Sequence, residues 1–210
     1  MKKKKIEDNI IFKIITIGDY AVGKTSILRR YIDNQFIQSH KPTLGIDTVT
    51  KEVTLDNGHI IYLNLFDTAG QEAYRAMYKN YVRNADGILL VFDLNIKKTF
   101  DNIKTWIDYL DENLKYKNNV VKYLIGNKKD LVKEVDDDNI EFFLEDNNDY
   151  IYRATSAKEE DNQINELFQD MGERLYKSYI KNAKNHKKSK NIKLKGLKEK
   201  KTNCVINCFL

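Results

Sequence analysis

A glycine-rich stretch with a lysine and two hydroxyls follows the first long apolar run of the chain. Residues 18–26 read GDYAVGKTS and come directly after IIFKIITI. They satisfy the pattern G-x-x-x-x-G-K-[ST], which binds phosphates where it joins a strand to a helix. Backbone N–H groups of the loop and of the helix N-terminus point at the anion, and the helix dipole favours negative charge. We therefore predict a nucleoside phosphate site in which Lys24 reaches the β/γ-phosphates and Thr25 ligates Mg²⁺.

A second motif, LFDTAGQE at 65–72, contains an acid and a glycine at the end of a predicted strand. A carboxylate in that position can hold Mg²⁺ through water, which is the role predicted for Asp67. The peptide N–H of the glycine that follows, Gly70, can meet a γ-phosphate. This motif and the glycine-rich loop do not choose between adenine and guanine.

Two further motifs favour guanine. LIGNKKDL at 124–131 ends a predicted strand, and ATSAK at 154–158 ends the last one. The Asp130 carboxylate can accept two hydrogen bonds from N1–H and the exocyclic amine of guanine, a donor pair that adenine lacks. ATSAK can supply a backbone N–H for O6. Because open α/β sheets bind ligands at the carboxyl ends of their strands, the four motifs together predict a guanine-nucleotide site.

Strands and helices alternate along the chain, and this order predicts a mostly parallel sheet with helices on both faces. Asn57-Gly58 between two alternating runs predicts a hairpin, which supplies one antiparallel strand. The fold class is therefore α/β. The predicted strands are 11–17, 47–55, 59–66, 87–93, 120–126 and 150–155, and the predicted helices begin and end near 24–34, 75–84, 99–116, 136–146 and 162–180.

The same motifs resemble those of small GTPases of the Ras superfamily over about residues 10–178, and most of all its Rab branch. GDYAVGKTSILRRY is similar to the Rab P-loop and first helix, HKPTLGID to the first switch, and FDTAGQEAYRAMYKNYVRNADG to the second switch and the helix after it. The resemblance implies a P-loop domain with a six-stranded sheet, tight binding of GTP or GDP with Mg²⁺, and slow hydrolysis. It also implies a regulator of intracellular vesicle and membrane trafficking on the cytoplasmic face of an endomembrane, which cycles with the cytosol.

The resemblance assigns roles to individual residues. Phe36 packs on the guanine, Thr43 ligates Mg²⁺ and touches the γ-phosphate, Gln71 positions the attacking water, and Lys128 and Lys158 flank the base. The catalytic residues are then Gln71 and Thr43, and the metal site is formed by Thr25, Thr43 and Asp67. The full set of predicted nucleotide contacts is Tyr20, Ala21, Val22, Gly23, Lys24, Thr25, Ser26, Phe36, Thr43, Gly70, Asn127, Lys128, Asp130, Ser156, Ala157 and Lys158.

Three residues depart from the Rab pattern. Tyr20 occupies a P-loop position where many family members have Gly or Ser. Thr48 and Phe66 stand where Rabs usually carry Phe and Trp, in an aromatic set that faces effectors and whose third member is Tyr81. Smaller side chains offer partners less apolar anchor area. The bulk of Tyr20 keeps open a second function, a nucleotide-locked interaction scaffold that hardly hydrolyses GTP.

The charge of the chain is distributed unevenly. The net charge is +5, yet residues 177–210 contain eleven lysines and one acid, and residues 2–5 are all lysine. We divide the chain into a basic N-terminal extension (1–9), a GTPase domain (10–178) and a flexible lysine-rich tail (179–210). An acidic body with basic ends suits an anionic membrane better than nucleic acid. The sequence has neither an apolar run of membrane-spanning length nor a secretory signal, and we expect a cytosolic protein.

Both cysteines, Cys204 and Cys208, lie in the last seven residues, CVINCFL. Position 207 is Asn, so the chain lacks the C-a-a-X spacing. Rabs carry terminal cysteines that are usually geranylgeranylated, which makes both residues candidates for lipidation; prenylation of one, of both or of neither stays open. The family resemblance also implies an exchange factor, a GTPase-activating protein, a dissociation inhibitor or escort protein, and effectors as partners of a monomeric protein.

Overall fold

The computed structural model describes residues 9–38, 43, 45–69, 75–115 and 119–203, and the side chains of all of these except 75–77 and 184–203. The chain divides into two compact units, Met1–Leu175 and Tyr176–Leu210. The first contains the sheet and the motifs described above up to ATSAK. The second contains the lysine-rich segment.

One six-stranded sheet forms the centre of the first unit. Its strand order is β2-β3-β1-β4-β5-β6, and β2 runs antiparallel to β3 while the other neighbours are parallel. This confirms the predicted mostly parallel α/β fold. The strands are β1 (Ile11–Gly18), β2 (Ile46–Thr54), β3 (Ile60–Thr68), β4 (Gly87–Asp93), β5 (Val121–Asn127) and β6 (Tyr150–Ala154).

The central strands read as continuous apolar runs because helices cover both of their faces. Every residue of β4, GILLVFD, is buried. The hairpin strand β2 is mostly exposed, and Gly58 adopts a φ of 81° in the turn that joins it to β3. The predicted hairpin is therefore correct.

The helices are α1 (Lys24–Asp33), α2 (Arg75–Val82), α3 (Lys97–Asp101), α4 (Ile103–Asn113), α5 (Asp137–Asp146) and α6 (Gln163–Asn203). The prediction of one helix over 99–116 is wrong, because Asn102 separates α3 from α4. The N–H of Thr105 bonds the carbonyl of Asn102 at 3.0 Å, a three-residue spacing that tightens the backbone there.

The predicted end of the last helix near residue 180 is also wrong, since α6 continues to Asn203. Its later part contains no proline and is rich in lysine, which is a good helix former. Among the described residues, no helix combines the length and the apolar character needed to cross a membrane.

Candidate nucleotide-binding site

A cleft of about 440 Å³ opens where β1, β5 and β6 end. It brings together most of the residues that the sequence predicted as nucleotide contacts: Tyr20, Ala21, Gly23, Lys24, Thr25, Ser26, Phe36, Thr43, Asn127, Lys128, Asp130, Ala157 and Lys158. It is also lined by residues that the motifs did not single out: Ile37, Gln38, Thr68, Ala69 and Leu131. These five are sequence neighbours of Phe36, Asp67 and Asp130, and that adjacency could have identified them.

Three predicted residues lie behind the cleft wall. Val22 is buried, and its carbonyl accepts a hydrogen bond from Asn127 Nδ2 at 2.9 Å. Ser156 and Asp67 are also buried and act on residues that line the cleft. Gly70, Gln71, Cys204 and Cys208 lie outside the described residues.

At the phosphate end, Gly23 caps α1 with a φ of 97°, a left-handed conformation that favours glycine. A Cβ on this residue would lie 2.2 Å from Asn127 Nδ2, so no side chain fits. The Lys24 ammonium donates to the carbonyls of Gly18 at 2.9 Å and Asp19 at 2.7 Å. Burial lowers the pKa of Lys24 to about 8, although the nearby charges of Asp67 and Asp19 oppose the shift. A phosphate would give this desolvated cation a negative counter-charge.

Beside Lys24, two hydroxyls and one carboxylate converge. Thr25 Oγ1 donates to Asp67 Oδ2 at 2.6 Å and lies 2.9 Å from Thr43 Oγ1. The Thr43 hydroxyl donates to the same carboxylate oxygen at 3.5 Å. The other oxygen, Asp67 Oδ1, is buried and has no hydrogen-bond partner within the part of the chain that the structure describes. Burial raises the pKa of Asp67.

This cluster fits a hard divalent cation. Hydroxyl and carboxylate oxygens are the ligands that Mg²⁺ prefers, and a cation would give the unpartnered Asp67 oxygen a counter-charge. In the part of the chain that the structure describes, no group of three or more His, Cys, Asp or Glu side chains could hold a metal. The candidate metal site is a single carboxylate with two hydroxyls, Asp67 with Thr25 and Thr43.

At the base end, Asp130 is held by a buried serine. Ser156 Oγ donates to Asp130 Oδ1 at 2.6 Å and accepts from the backbone N–H groups of Lys158 and Glu159 at 3.2 and 3.1 Å. Lys158 Nζ lies 3.9 Å from the second oxygen, Asp130 Oδ2. These hydrogen bonds orient the Asp130 carboxylate before a ligand binds, and recognition of a planar base requires such orientation.

Three long-range contacts support the cleft, one at the base end and two at the P-loop. Lys128 has a φ of 63°, and its ammonium pairs with the buried carboxylate of Asp93 at 2.6 Å. On the P-loop, the Asp19 carboxylate accepts from Asn102 Nδ2 at 2.6 Å and from Trp106 Nε1 at 2.8 Å. Sequence reasoning missed all three contacts. The only signal was chemical: Asp93 ends an apolar strand, and Trp106 is the sole tryptophan.

Tyr20 stands at the mouth of the cleft with its side chain 55 % exposed. Phe36 also lines the cleft and is partly exposed. The phenol ring of Tyr20 therefore adds bulk to the lining of the cleft, and it is not packed into the core.

The three positions of the predicted effector-facing set are neighbours in space. Thr48 is the register partner of Phe66 across β2 and β3, and the rings of Phe66 and Tyr81 are 5.4 Å apart. Lys13 Nζ lies 4.7 Å from the Phe66 ring centroid and 5.0 Å from that of Tyr81. A cation therefore lies against the two aromatic rings of the predicted set, of which Phe66 is buried.

Comparison with known proteins agrees with this geometry. The model of the Ras family matches residues 13–177. Ras-related protein Rab-1 of Theileria parva is 42 % identical over 160 residues, which are 74 % of this chain and 70 % of that protein. Rab-1A of Dictyostelium discoideum is 38 % identical over 162 residues, 77 % of this chain and 78 % of that one. Human Rab-30 is 36 % identical over 169 residues, 80 % and 81 % of the two chains. The chain therefore belongs to the Ras family, as a Rab-like small GTPase.

Proposed function

We propose that this protein is a molecular switch that binds GTP and GDP, hydrolyses GTP and regulates intracellular membrane trafficking. The observation that carries the proposal is that one cleft is lined by two oriented groups of opposite charge. A carboxylate oriented by Ser156 and a lysine held by two carbonyls line the same cleft, and they would face the base and the phosphates respectively. A site with both groups selects a guanine base and an anionic tail at once.

The metal has a defined place in this proposal. Thr25 and Thr43 would ligate Mg²⁺ directly, and Asp67 would hold it through water. The ion would supply charge neutralisation on the β- and γ-phosphates. The residues themselves position the phosphates, because phosphoryl transfer is catalysed mostly by positioning and charge stabilisation.

The switch follows from two loops that contact the γ-phosphate. Thr43 holds the first loop and the N–H of Gly70 holds the second, and loss of the γ-phosphate releases both. Gln71 orients the attacking water. We assign the stabilising arginine to a GTPase-activating protein, a contribution worth roughly 10³–10⁵ in rate in other GTPases.

Tyr20 supports a second candidate function. Its exposed ring lines the cleft. The family resemblance puts this position beside the γ-phosphate, and there the ring would crowd Gln71 and an incoming arginine. A protein built this way could stay in the GTP state and serve as an interaction scaffold on a membrane. Nucleotide binding survives in either case, because Gly23, Lys24 and Thr25 do not depend on this side chain.

The nucleotide that the purified protein carries tests both candidates. Denaturation releases the bound nucleotide, and chromatography identifies it. We expect GDP if the chain is a hydrolysing switch, and GTP if it is a locked scaffold. Recovery of adenine nucleotide, or of none after purification in Mg²⁺, would contradict both.

For the lysine-rich tail (179–210), we propose membrane attachment at the cytoplasmic face of an endomembrane, with exchange between membrane and cytosol. One prenyl chain binds marginally, and lysines near an anionic leaflet add about 1 kcal/mol each. The proposal includes a dissociation inhibitor or escort protein, an exchange factor and effectors as partners.

Fractionation of cells that express Cys204→Ser/Cys208→Ser should recover the protein in the cytosol. Membrane recovery equal to that of the unaltered chain would contradict the proposal.

A further inference from the structure

Arg30 is a buried arginine that the proposed nucleotide contacts do not use. It lies on α1 and is 5 % exposed. Its Nε donates to the carbonyl of Ala157 at 3.0 Å, and one terminal nitrogen donates to the carbonyl of Lys158 at 3.1 Å. The other terminal nitrogen donates to the carbonyl and to Oδ1 of Asn34, at 3.0 and 3.1 Å.

The guanidinium thus donates mainly to backbone carbonyl oxygens, and its contact with a carboxylate is longer. An ion pair with Glu160 at 3.6 Å reaches a side chain that is 80 % exposed, and exposed pairs contribute little to stability. The planar fork of an arginine can satisfy several fixed acceptors together, which a lysine ammonium on a flexible stem does less well. A charge this deeply buried is expensive unless it is hydrogen-bonded or paired, and the acceptors around Arg30 meet that requirement.

Both segments that Arg30 holds are walls of the base end. Ala157 and Lys158 line the cleft at the end of the ATSAK motif. Asn34, with a φ of 53°, ends α1 and directs the chain to Phe36, which lines the cleft two residues later. One side chain therefore ties together the two segments between which the base would lie.

We propose that Arg30 is a positioning residue for base recognition. Anchoring the carbonyls of Ala157 and Lys158 fixes the backbone that presents the N–H of Ala157 to O6 of the base. Anchoring Asn34 fixes the Phe36 wall relative to that N–H. The inference rests on the proposed guanine-nucleotide site, and it adds the residue that sets the geometry of that site.

Base selectivity separates this role from general stabilisation of the fold. Guanine and hypoxanthine share O6, whereas adenine carries an amino group there that a fixed N–H rejects. The 2-amino group of guanine meets Asp130, which bonds the Ser156 hydroxyl directly, whereas Arg30 bonds the carbonyls of the two residues that follow Ser156. Loss of Arg30 should therefore relax the rejection of adenine and leave the preference for guanine over hypoxanthine unchanged.

The test measures release of fluorescent GDP from the full chain in Mg²⁺, together with the affinities for GDP, IDP and ADP. Arg30→Met keeps the volume and removes every donor. GDP release should accelerate roughly 10- to 100-fold, as expected for loss of charge-assisted hydrogen bonds. The GDP/ADP affinity ratio should fall about tenfold while the GDP/IDP ratio stays within about twofold. Arg30→Lys should give an intermediate release rate.

Arg174→Met is the matched control, because Arg174 pairs with Asp170 at 2.9 Å and is partly exposed on α6. It should release GDP like the unaltered chain. Thermal unfolding in saturating GDP checks that each variant folds, and Arg30→Lys decides the question if Arg30→Met does not fold. Unchanged release, or a GDP/IDP ratio that falls together with GDP/ADP, would overturn the inference alone. Failure of the unaltered chain to bind GDP would overturn the proposed function and the inference with it.

Discussion

At the base end of the cleft, the polar groups predicted to read the nucleotide are bonded within the protein: Asp130 to Ser156, Asn127 to Val22 and Lys128 to Asp93. At the metal end, the two hydroxyls and the carboxylate bond one another, and one buried oxygen of Asp67 has no hydrogen-bond partner among the described residues. Burial raises the pKa of this acid and lowers the pKa of Lys24 beside it.

This difference assigns a separate task to each end. Groups that are oriented in advance discriminate between bases, because a wrong base leaves them unpaired. Groups whose charges are incompletely compensated respond strongly to the arrival or loss of a cation and a phosphate. Specificity therefore belongs to the base end, and switching to the metal end.

The largest expected effect tests the base end. Asp130→Asn should weaken GDP binding about 1,000-fold, because the amide cannot accept both guanine donors and leaves buried polar groups unpaired. The same variant should gain affinity for xanthosine diphosphate, whose C2 oxygen suits an amide donor. Titration with both nucleotides measures the exchange.

Asp101→Asn, an identical change at an exposed residue of α3, should keep normal GDP affinity. If Asp130→Asn also kept it, the assignment of the base contact would be wrong.

The second effect concerns the phosphate end. Tyr20→Gly should accelerate single-turnover GTP hydrolysis by up to about 100-fold, since a misplacement of about 1 Å can cost that much in rate. The affinity for GDP should not change. Tyr20→Phe, which keeps the ring, should hydrolyse GTP at the rate of the unaltered chain. Equal rates for all three proteins, with and without an activating protein, would make the ring a bystander.

The site residues within short motifs could be predicted from the sequence, whereas the contacts between residues far apart in the chain could not. The P-loop and the NKKD motif each lie within a few residues of one strand end, so pattern and context were enough to locate Lys24 and Asp130 in one cleft. The contacts that brace them join residues far apart in the chain, such as Trp106 with Asp19. No local periodicity encodes such a pair.

The wrong prediction of one helix over 99–116 and the failure to single out Arg30 have the same origin. Asn102 fits the helical pattern of 99–116, yet its side chain bonds the P-loop and the backbone tightens at that point. Arg30 follows Ile27 by three residues on the buried face of α1, and a charge in a core position was a signal that pattern reading did not use.

A third, smaller effect tests the metal end. Asp67→Asn keeps the shape and removes the charge, so the Mg²⁺ concentration that half-maximally slows GDP release should rise about 10- to 100-fold. The affinity for GDP in excess EDTA should change less. Asp47→Asn removes a nearby exposed charge that also raises the pKa of Asp67, and it should leave the Mg²⁺ requirement near normal. An equal shift in both variants would indicate a general electrostatic effect and not a metal ligand.

The smallest expected effect is a pH dependence at Lys24. Its pKa in the folded, ligand-free protein is about 8, below the ordinary 10.5, because burial disfavours the charged form. A bound phosphate favours that form and raises the pKa again. Below pH 8 the lysine is already charged and binding takes up few protons, whereas above pH 8 binding must protonate it. GDP affinity should therefore weaken about fourfold between pH 7 and 8.5.

Proton uptake measures this linkage directly. Calorimetry in two buffers of different ionisation enthalpy should find about half a proton taken up on GDP binding at pH 8 and about a tenth at pH 7. Tyr20→Gly should show the same uptake, because the carbonyls of Gly18 and Asp19 that hold the ammonium are unchanged. The ligand-free protein should gain stability as pH rises from 8 towards 10.5, since the folded state then binds fewer protons than the unfolded one. Binding without proton uptake at pH 8 would contradict the lowered pKa, because Lys24 would then be fully charged before the nucleotide arrives.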